Sequence, residues 1–393
     1  MKKSIKDFDL NNKKVIIRCD FNVPIKDGII TDDTRIKKSI PTIKYAIDNN
    51  AKVILMSHLG RVKDEADLKK NDLSIILDTL SKYLEKDVIF ISETRGKTLE
   101  DAINKMNNGD VLLMQNTRYE DLFGKKESSN DKKLGAYWAG LGDIFINDAF
   151  GTLHREHASN VGIAKNIPSG VGLLVEEELN KLSILDNPEK PFVVILGGAK
   201  ISDKIGVVKT LLEKCDYLLI GGGMAHTFLK AENINIGSSI LDEESINFAK
   251  EMLGKARDKI ILPQDVKVTT KFDNETKSRI TDINNIKDNE IGLDIGPKTI
   301  ELFKKYLKDA KTIFWNGTLG YSEFSNYKDG TEKIMNYLKE IDAKTVLGGG
   351  DTVAAATKFG VVNDVTHAST GGGATLEYIE NKSLPGLVEI NNK

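Results

Sequence analysis

Four glycine clusters in the second half of the chain are the residues best suited to nucleotide chemistry. They are Gly197-Gly198, Gly221–Gly223, Gly348–Gly350 and Gly371–Gly373. Three of them follow a short apolar run typical of a strand and precede a helical pattern. A strand that leads through a glycine turn into a helix presents backbone N–H groups, and the positive end of the helix dipole, to a phosphate. The pattern predicts a nucleotide-phosphate site in this half.

The first half carries arginine and histidine motifs instead, in the segments RCDFNVP (18–24), SHLGR (57–61), NTR (116–118) and NDAFGTLHREH (147–157). Only 8 of the 56 lysines and arginines are arginines, and six of those precede residue 156. Because lysine supplies most of the positive charge, the few arginines indicate sites where the planar guanidinium group recognises a carboxylate or a phosphate. For any single arginine, ordinary ion pairing is the alternative. A small-anion site in one half and a nucleotide site in the other favour a kinase.

The segment LGGGDTVAAATKFG (347–360) carries the strongest single nucleotide signal. Its glycines allow close approach of the backbone to phosphates, and Asp351 and Thr352 begin an alanine-rich helix. Their side-chain oxygens either cap N–H groups or bind Mg²⁺, and an ordinary capped helix after a tight turn is the alternative. The segment is not a Walker A loop, and the lack of G-x-G-x-x-G argues against a dinucleotide-binding fold.

Two lysines follow the first glycine pair, in ILGGAKISDKIG (195–206). Lys200 and Lys204 are spaced so that we expect both ammonium groups on one face of a helix, at its start. Two cations at a helix N-terminus repel each other and oppose the helix dipole, and an anion between them would relieve both effects. Two solvated lysines are the alternative.

The histidines give weaker signals. His58 follows a predicted strand and joins the anion motifs, whereas His226 is predicted to be structural. A zinc site at His154 and His157 is a weaker alternative, because no cysteine or third ligand lies nearby in the sequence.

The composition is typical of a soluble globular protein. A chain of 393 residues is longer than one hydrophobic core usually organises, which favours two domains. The net charge of −2 provides no bulk attraction to nucleic acid or to an anionic membrane surface. The N-terminus lacks the apolar region of a secretory signal, and no run is long enough to span a bilayer. Cys19 and Cys215 are the only cysteines, as expected of a reduced cytoplasmic protein.

Alternating strand and helix signals predict an α/β fold with parallel sheets. We predict two Rossmann-like three-layer domains joined by a hinge helix. Residues 1–168 form the anion-binding domain, 169–191 the interdomain helix and linker, and 192–382 the nucleotide-binding domain. The apolar tail 383–393 is predicted to pack back onto the first domain. Almost every motif residue follows a strand, which places it at the carboxyl edge of a sheet, where α/β proteins bind ligands.

Nine segments in this order resemble phosphoglycerate kinases: RCDFNVP, SHLGR, NDAFGTLHREHAS, ILGGAKISDKI, GGGMAHTFL, LDIGPKT, WNG, LGGGDTVAA and HASTGGGATLE. They span essentially the whole chain and are long enough to be highly specific. The resemblance implies two Rossmann-like domains joined by a hinge. It also implies reversible transfer of phosphate between 1,3-bisphosphoglycerate and ADP, with Mg²⁺, giving 3-phosphoglycerate and ATP. We expect a monomer.

The resemblance also implies roles for individual residues. Those that hold the phosphoglycerate would be Asp20, Asn22, Arg35, His58, Arg61, Arg118 and Arg155. Those that hold the nucleotide would be Gly198, Ala199, Lys204, Gly223, Gly292, Glu323, Gly349, Gly350, Asp351 and Thr352, with Asp351 contacting the metal. The catalytic group would be Arg35, Lys200, Lys204 and Gly350, with Arg35 and Lys200 flanking the phosphoryl group in transfer.

Three segments depart from the family's usual pattern. WNGPMGVFE is WNGTLGYSE here, with Thr318 for Pro and Ser322 for Phe, which bears on the shape of the nucleoside pocket and on the choice between ATP and GTP. LLEN is LMQN, with Gln115 for Glu, and SHLGRP is SHLGRV, with Val62 for Pro. The last two changes flank the substrate site, and no residue with an implied chemical role is lost.

The reaction suits a site without an acid–base pair. An acyl phosphate leaves a carboxylate, which is stable unprotonated at neutral pH, so the reaction needs in-line positioning and charge neutralisation. Two alternatives stay open on the residues alone. One is a different acyl-phosphate or sugar-acid kinase, and the other is a nucleotide-binding module without catalysis, although the retention of Arg35, Lys200, Lys204 and Asp351 argues against the second.

Overall fold

The computed structural model describes every residue except Met1. The chain forms two compact units, of which the first runs to Asn180 and includes Ser383–Lys393, and the second is Lys181–Lys382. No helix in the described part of the chain is both long and apolar enough to cross a membrane.

The first unit is built on a six-stranded parallel sheet. Its strands, including a short hairpin, are β1 (Lys14–Arg18), β2 (Ile25–Lys26), β3 (Ile29–Ile30), β4 (Lys52–Met56), β5 (Ile89–Ile91), β6 (Val111–Met114), β7 (Ile144–Asn147) and β8 (Ser169–Val171). Its helices are α1 (Thr34–Asp48), α2 (Glu65–Lys70), α3 (Leu77–Leu84), α4 (Lys97–Asn104) and α5 (Lys132–Ala139). The sheet order is β5-β6-β4-β1-β7-β8, with β2 and β3 paired separately.

The first sheet is buried on both faces. Val15 and Ile17 of β1 pack with Ile36 and Ile43 of α1 on one face. Ile16, which points to the opposite face of the same strand, is equally inaccessible. Strands buried on both faces read as continuous apolar runs, which is why β1 appears in the sequence as an uninterrupted hydrophobic segment.

The second unit repeats this plan and adds a small antiparallel sheet. Its strands are β9 (Phe192–Leu196), β10 (Tyr217–Ile220), β11 (Ile260–Ile261), β12 (Asp265–Thr269), β13 (Arg279–Asp282), β14 (Ile291–Ile295), β15 (Thr312–Asn316), β16 (Lys344–Gly348) and β17 (His367–Ala368). Helix α6 is Leu173–Leu182. The helices that follow it in the second unit are α7 (Ile205–Lys214), α8 (Gly222–Ala231), α9 (Ile246–Ala256), α10 (Pro297–Leu307), α11 (Asp329–Leu338), α12 (Gly350–Lys358) and α13 (Gly373–Asn381). The order of the main sheet is β11-β10-β9-β15-β16-β17.

The connectivity of this sheet reverses direction at its centre. From β9 the chain proceeds outward through β10 to β11, and from β15 it proceeds outward on the other side through β16 to β17. The loops after β9 and β15 therefore diverge at the carboxyl edge, which opens a crevice at the topological switch point. The antiparallel sheet β13-β12-β14 lies in the same unit.

The predicted α/β class with two parallel sheets is confirmed. The sequence pattern missed the antiparallel sheet, because its strands are short and partly polar. A 3₁₀ turn, Leu73–Ile76, leads directly into α3. Helix α6 ends at Leu182 and continues as a 3₁₀ turn, Ser183–Leu185. Its role as a hinge stays a prediction.

The chain terminus belongs to the first unit. Helix α14 (Pro385–Val388) begins with a proline in its first turn, and the Gly386 N–H donates to the carbonyl of Leu153 at 2.8 Å. The carbonyl of Asn391 accepts from the Lys3 N–H at 2.8 Å. Backbone hydrogen bonds therefore hold both ends of the chain together in this unit.

Candidate functional site

In the first unit, the predicted anion residues lie along one edge of the sheet. Asp20 and Asn22 follow β1, His58 and Arg61 follow β4, Arg118 follows β6, Arg155 follows β7, and Arg35 lies in the first turn of α1. Strands β6, β4, β1 and β7 are consecutive neighbours and parallel. Their carboxyl ends therefore bring these loops together, as the motif spacing predicts.

Short hydrogen bonds tie these loops to one another. Arg35 Nη1 donates to Asp20 Oδ2 at 2.7 Å, and the side chain of Arg35 is still 40% exposed. Asn22 Oδ1 accepts from the N–H of Gly60 at 2.8 Å. The loop after β1 is thereby fixed both to α1 and to the loop after β4.

His58 is buried against Arg18, which is itself completely inaccessible. Arg18 Nη2 lies 3.2 Å from His58 Nδ1. A guanidinium has no acceptor, so Nδ1 accepts this hydrogen bond and the ring proton resides on Nε2. Burial lowers the pKa of His58 well below its usual range, and the positive charges of Arg18, Arg118 and Arg155 lower it further. His58 is therefore a neutral hydrogen-bond donor at neutral pH.

Three guanidinium groups in this cluster lie close enough to repel one another. Burial lowers the pKa of Arg155, and the positive charges of Arg118 and Arg61 lower it further. Arg118 donates to Asp121 and to Ser128, each at 3.3 Å, but its buried Nε has no hydrogen-bond partner within residues 2–393. Positive charge in excess of nearby carboxylates, together with this unpartnered donor, suits an anion with several oxygens.

A buried polar network that the sequence analysis missed supports this cluster. Glu127 is fully buried and accepts from the N–H of Ser159 at 2.9 Å and from its hydroxyl at 2.5 Å. The Ser159 hydroxyl in turn accepts from Arg18 Nε at 3.0 Å. The available signal was Arg18 itself, which is one of the eight arginines and begins a motif.

In the second unit, the glycine loops meet at the switch point between β9 and β15. The N–H of Gly197 donates to the carbonyl of Asn316 at 2.9 Å, and the N–H of Gly198 donates to the carbonyl of Thr318 at 3.0 Å. A Cβ atom on Gly197 would lie 2.1 Å from that Thr318 oxygen, so no larger residue fits. Gly198 has a φ of +97°, which also favours glycine.

The lysines differ from the arrangement predicted from their spacing. Helix α7 begins at Ile205, so Lys204 precedes the helix as its N-cap and Lys200 lies in the loop before it. Lys204 Nζ turns inward and donates to the carbonyl of Gly197 at 2.6 Å, whereas Lys200 is exposed. Burial lowers the pKa of Lys204 from 10.5 to about 8. The prediction of two ammonium groups on one helix face is wrong, because the chain makes a 3₁₀ turn at 202–204.

The start of α12 is open for an anion. Its N-cap is Gly349, with a φ of +90°, and no side chain caps the first N–H groups. Thr352 Oγ1 accepts instead from the N–H of Gly317 at 2.7 Å, which connects this helix to the loop after β15. Gly350 faces open space, and Asp351 is exposed. The N–H groups at the start of this helix therefore have no side-chain cap.

A cavity of about 290 Å³ opens beside these loops. Six of the predicted nucleotide residues line it: Gly198, Ala199, Gly223, Gly292, Glu323 and Asp351. The other four, Lys204, Gly349, Gly350 and Thr352, are outside the lining. A Cβ atom on Gly292 would lie 2.6 Å from the ring of His226, so this glycine is needed for close packing of the wall.

The departures from the family pattern have different structural consequences. Thr318 lines the cavity, but Ser322 does not and is buried. Gln115 is also buried, where its side-chain oxygen accepts from the Leu73 N–H at 2.9 Å, and Val62 is buried. Two aromatic residues that the sequence analysis did not select, Phe272 and Tyr321, line the cavity. Tyr321 lies within the divergent WNGTLGYSE segment, which was an available signal.

The alternative of a zinc site at His154 and His157 has no third ligand. Across residues 2–393, no group of three His, Cys, Asp or Glu side chains is arranged to hold a metal ion. Burial, together with the nearby arginines, lowers the pKa of His157 to about 3. His154 Nε2 lies 3.2 Å from Arg155 Nε. Both histidines therefore belong to the surroundings of the arginine cluster.

Comparisons with known proteins agree over the whole length of the chain. The sequence model of the family "Phosphoglycerate kinase" matches residues 5–382. The phosphoglycerate kinase of Fusobacterium nucleatum is 54% identical over 398 residues, covering 100% of both chains. That of Lacticaseibacillus casei is 54% identical over 392 residues and covers 99% of each.

Solved structures show the same relationship. Phosphoglycerate kinase from Coxiella burnetii has a TM-score of 0.89 and 37% identity, covering 99% of both chains. The enzyme from Pyrococcus horikoshii has a TM-score of 0.86 and 30% identity, covering 99% of this chain and 98% of that one. The predicted resemblance is confirmed, and the chain belongs to the phosphoglycerate kinase family.

Proposed function

We propose that this chain catalyses reversible, Mg²⁺-dependent phosphoryl transfer between 1,3-bisphosphoglycerate and ADP, giving 3-phosphoglycerate and ATP. The observation that carries the proposal is the arginine cluster around the unpartnered Nε of Arg118, in a chain of this family. The open glycine loops at the switch point of the second unit support the nucleotide half of the reaction.

The phosphoglycerate is held by the loops at the carboxyl edge of the first sheet. Arg61, Arg118 and Arg155 supply guanidinium donors to an anionic oxygen, and His58 adds a neutral donor at Nε2. Asp20 and Asn22 accept hydrogen bonds from substrate hydroxyl groups, in addition to the contacts that already fix them. The excess positive charge favours a substrate that carries both a phosphate and a carboxylate over a neutral sugar.

The nucleotide is held by the second unit. The base and ribose occupy the cavity lined by Gly198, Ala199, Gly223, Gly292 and Glu323. The phosphates lie against the N–H groups that open α12, from Gly349 to Thr352, with Lys204 adding positive charge near Gly197.

Transfer requires charge neutralisation and no general acid, because the leaving group is a carboxylate. We assign Arg35 and Lys200 to the two sides of the phosphoryl group, with Lys204 and the N–H of Gly350 stabilising its oxygens. Both flanking side chains are accessible: Arg35 is 40% exposed despite its bond to Asp20, and Lys200 is exposed. Such preorganised positive groups act where charge develops in the transition state.

The residues present fit a magnesium ion held mainly by nucleotide phosphates. Mg²⁺ is commonly bound by one or two carboxylates together with substrate phosphates, and Asp351 supplies one exposed carboxylate at the start of α12. When bound, the ion would neutralise charge on the phosphate oxygens. Asp351 would hold it, and the N–H groups of the same turn would orient the phosphates.

The two ligands belong to different units, so transfer requires the units to approach each other. We propose that residues 169–191, which include α6, act as the hinge, with 1–168 and 192–382 as the moving domains. Small-angle scattering should give a smaller radius of gyration with 3-phosphoglycerate plus a non-hydrolysable MgATP analogue than with either ligand alone. An unchanged radius at saturation of both ligands would refute the hinge.

We further propose that the enzyme acts as a monomer in the cytoplasm. Both cysteines are buried free thiols, which agrees with a reducing compartment. Light scattering coupled to gel filtration tests the oligomeric state, and cell fractionation tests the location.

The direct test is a coupled assay with purified protein, 3-phosphoglycerate and MgATP. We expect ADP formation that depends on both substrates and on the divalent cation. A panel of other carboxylic and sugar acids serves as the control, because a related kinase of different specificity would phosphorylate one of them better. Absence of ADP above background with 3-phosphoglycerate would reject the proposed function.

A further inference from the structure

Aromatic rings form one wall of the cavity in the second unit. Phe272 and Tyr321 both line the cavity, and their exposed fractions are 55% and 37%. Their ring centroids are 4.8 Å apart with an interplanar angle of 67°. Phe324 packs behind them, with its centroid 4.6 Å from Tyr321 and 5.3 Å from Phe272. Two exposed rings therefore meet edge to face at the cavity.

This geometry suits a planar ligand. Rings that meet edge to face form a corner, so a flat molecule can stack on one ring while the other ring contacts its edge. Large aromatic side chains usually bury most of their surface, and an exposed pair beside a cavity marks a binding surface. The rings supply the two kinds of contact that a nucleobase makes with aromatic side chains.

Backbone and side-chain hydrogen bonds hold the wall in place. The N–H of Tyr321 donates to the carbonyl of Leu293 at 2.8 Å, and the N–H of Phe324 donates to the carbonyl of Tyr321 at 3.1 Å. The loop that carries Phe272 is joined to the loop that carries Phe324 through Asn274, whose Oδ1 accepts from the Asn326 N–H at 3.0 Å. The backbone that carries Tyr321 and Phe324 is thus held in place by hydrogen bonds within the unit.

The remaining lining is dominated by glycine and aliphatic residues, so it provides few side chains that could read the edge of a base. Asp294, the most buried of the lining carboxylates, is already satisfied: its two oxygens accept from the N–H groups of Ile295 and Gly330, each at 2.9 Å. Stacking on the aromatic wall is therefore available to a base in addition to contacts with the polar side chains of Thr318, Glu323 and Asp351.

We propose that Tyr321 is the base-stacking residue of this enzyme, and that its ring sets the affinity for the nucleoside part of the nucleotide. The inference rests on the proposed function only in taking a nucleoside triphosphate as the ligand. Stacking on one ring is expected to contribute to the binding of any purine, because it uses the face of the base and not its hydrogen-bonding groups.

The test compares Tyr321→Val with Tyr321→Phe, which keeps the ring and removes only the hydroxyl. Phe123→Val is the matched control, because Phe123 is an aromatic residue of the first unit that is 75% exposed. Titration calorimetry without the second substrate measures the dissociation constants of ATP and of inorganic tripolyphosphate, which has no base. The KM for 3-phosphoglycerate is measured separately.

Tyr321→Val should weaken ATP binding by about tenfold, the typical effect of removing one stacked ring. Its affinity for tripolyphosphate and its KM for 3-phosphoglycerate should stay at the wild-type values, and Tyr321→Phe and Phe123→Val should bind ATP normally. A general loss of fold would lower the affinity for both ligands, so it is distinguishable.

Wild-type ATP affinity in Tyr321→Val, or an equal loss of ATP and tripolyphosphate affinity, would overturn the proposal. An ATP affinity in Tyr321→Phe as poor as that of Tyr321→Val would also overturn it, because the hydroxyl and not the ring would then carry the effect. The binding measurements need no turnover, so they can be made even if the protein is inactive. A protein that binds ATP but forms no ADP would contradict the proposed reaction, and the binding data would still decide the role of Tyr321.

Discussion

Replacing Lys204 by methionine should stabilise the second unit while weakening nucleotide binding. The charged Lys204 is held in a site that disfavours charge, since burial lowers its pKa from 10.5 to about 8. A drop of that size corresponds to a penalty of about 3 kcal/mol in folding stability at neutral pH, at 1.36 kcal/mol per unit. The hydrogen bond from Nζ to the carbonyl of Gly197, at 2.6 Å, returns about 1 kcal/mol. Lys204→Met should therefore gain about 2 kcal/mol.

The pH dependence has a defined direction. Between about pH 8 and the usual lysine pKa of 10.5, the unfolded chain binds more protons at this position than the folded chain does. Stability of the wild-type unit should therefore rise with pH across that window, and the full penalty applies below it. Lys204→Met has no group to titrate here, so its gain should shrink as the pH rises.

Nucleotide binding should change in the opposite sense. A phosphate requires the protonated lysine, so ATP affinity of the wild type should fall by up to tenfold per pH unit above about pH 8. Loss of one charge-assisted contact in Lys204→Met should weaken ATP binding by about 10-fold to 150-fold at neutral pH, with a flatter pH profile. Opposite effects on stability and binding distinguish a functional charge from a structural one.

Fluorescence can confine the measurement to the second unit. The chain has two tryptophans, Trp138 in the first unit and Trp315 in the second. In a Trp138→Phe background, urea unfolding followed at Trp315 reports on the unit that contains Lys204. Lys305→Met, on the exposed surface of α10, is the matched control and should change neither property. Lower stability of Lys204→Met than of its parent at neutral pH, with parallel pH profiles for ATP binding, would refute this reasoning.

Three further predictions concern the anion cluster and the divergent segment. Arg35→Ala should lower mainly kcat, and Arg118→Ala should raise mainly the KM for 3-phosphoglycerate, by about 10-fold to 150-fold each. Steady-state kinetics measure both parameters, and equal effects on kcat and KM in both variants would contradict these roles. Glu127→Gln should lower the free energy of unfolding of the first unit by about 3 kcal/mol, because it removes the carboxylate charge that acts most strongly on the buried Arg18, and urea titration that finds the wild-type value would contradict this interaction. Thr318→Pro should change the ratio of the KM values for ATP and GTP, because Thr318 lines the cavity, and an unaltered ratio would contradict this prediction. Ser322→Phe should lower the free energy of unfolding by about 1–3 kcal/mol, because it overpacks a buried position, and an unaltered melting temperature would contradict this prediction.

The α/β class and the family follow from the sequence alone for local reasons. Buried parallel strands appear as continuous apolar runs, and the residues that follow them lie at one sheet edge whatever the remaining contacts are. Asp20, His58, Arg118 and Arg155 could therefore be placed together from their positions after four strands, and in the structure those four strands are neighbours in one sheet. The glycine turn at 348–350 is equally local, because the positive φ of Gly349 favours that residue type.

Tertiary structure decided the features that depend on distant partners and on burial. Arg18 meets Ser159 across 141 residues of sequence, and Glu127 reaches Ser159 across 32, so no local pattern could pair them. The inward turn of Lys204 and its lowered pKa arise because the chain makes a 3₁₀ turn before α7 and buries the ammonium group. The divergent segment showed only that the nucleoside pocket differs, whereas packing placed Tyr321 on the cavity wall and Ser322 in the interior. Sequence periodicity determines which edge of a sheet a residue occupies, but the direction of its side chain and the polarity of its surroundings are set by the packed structure.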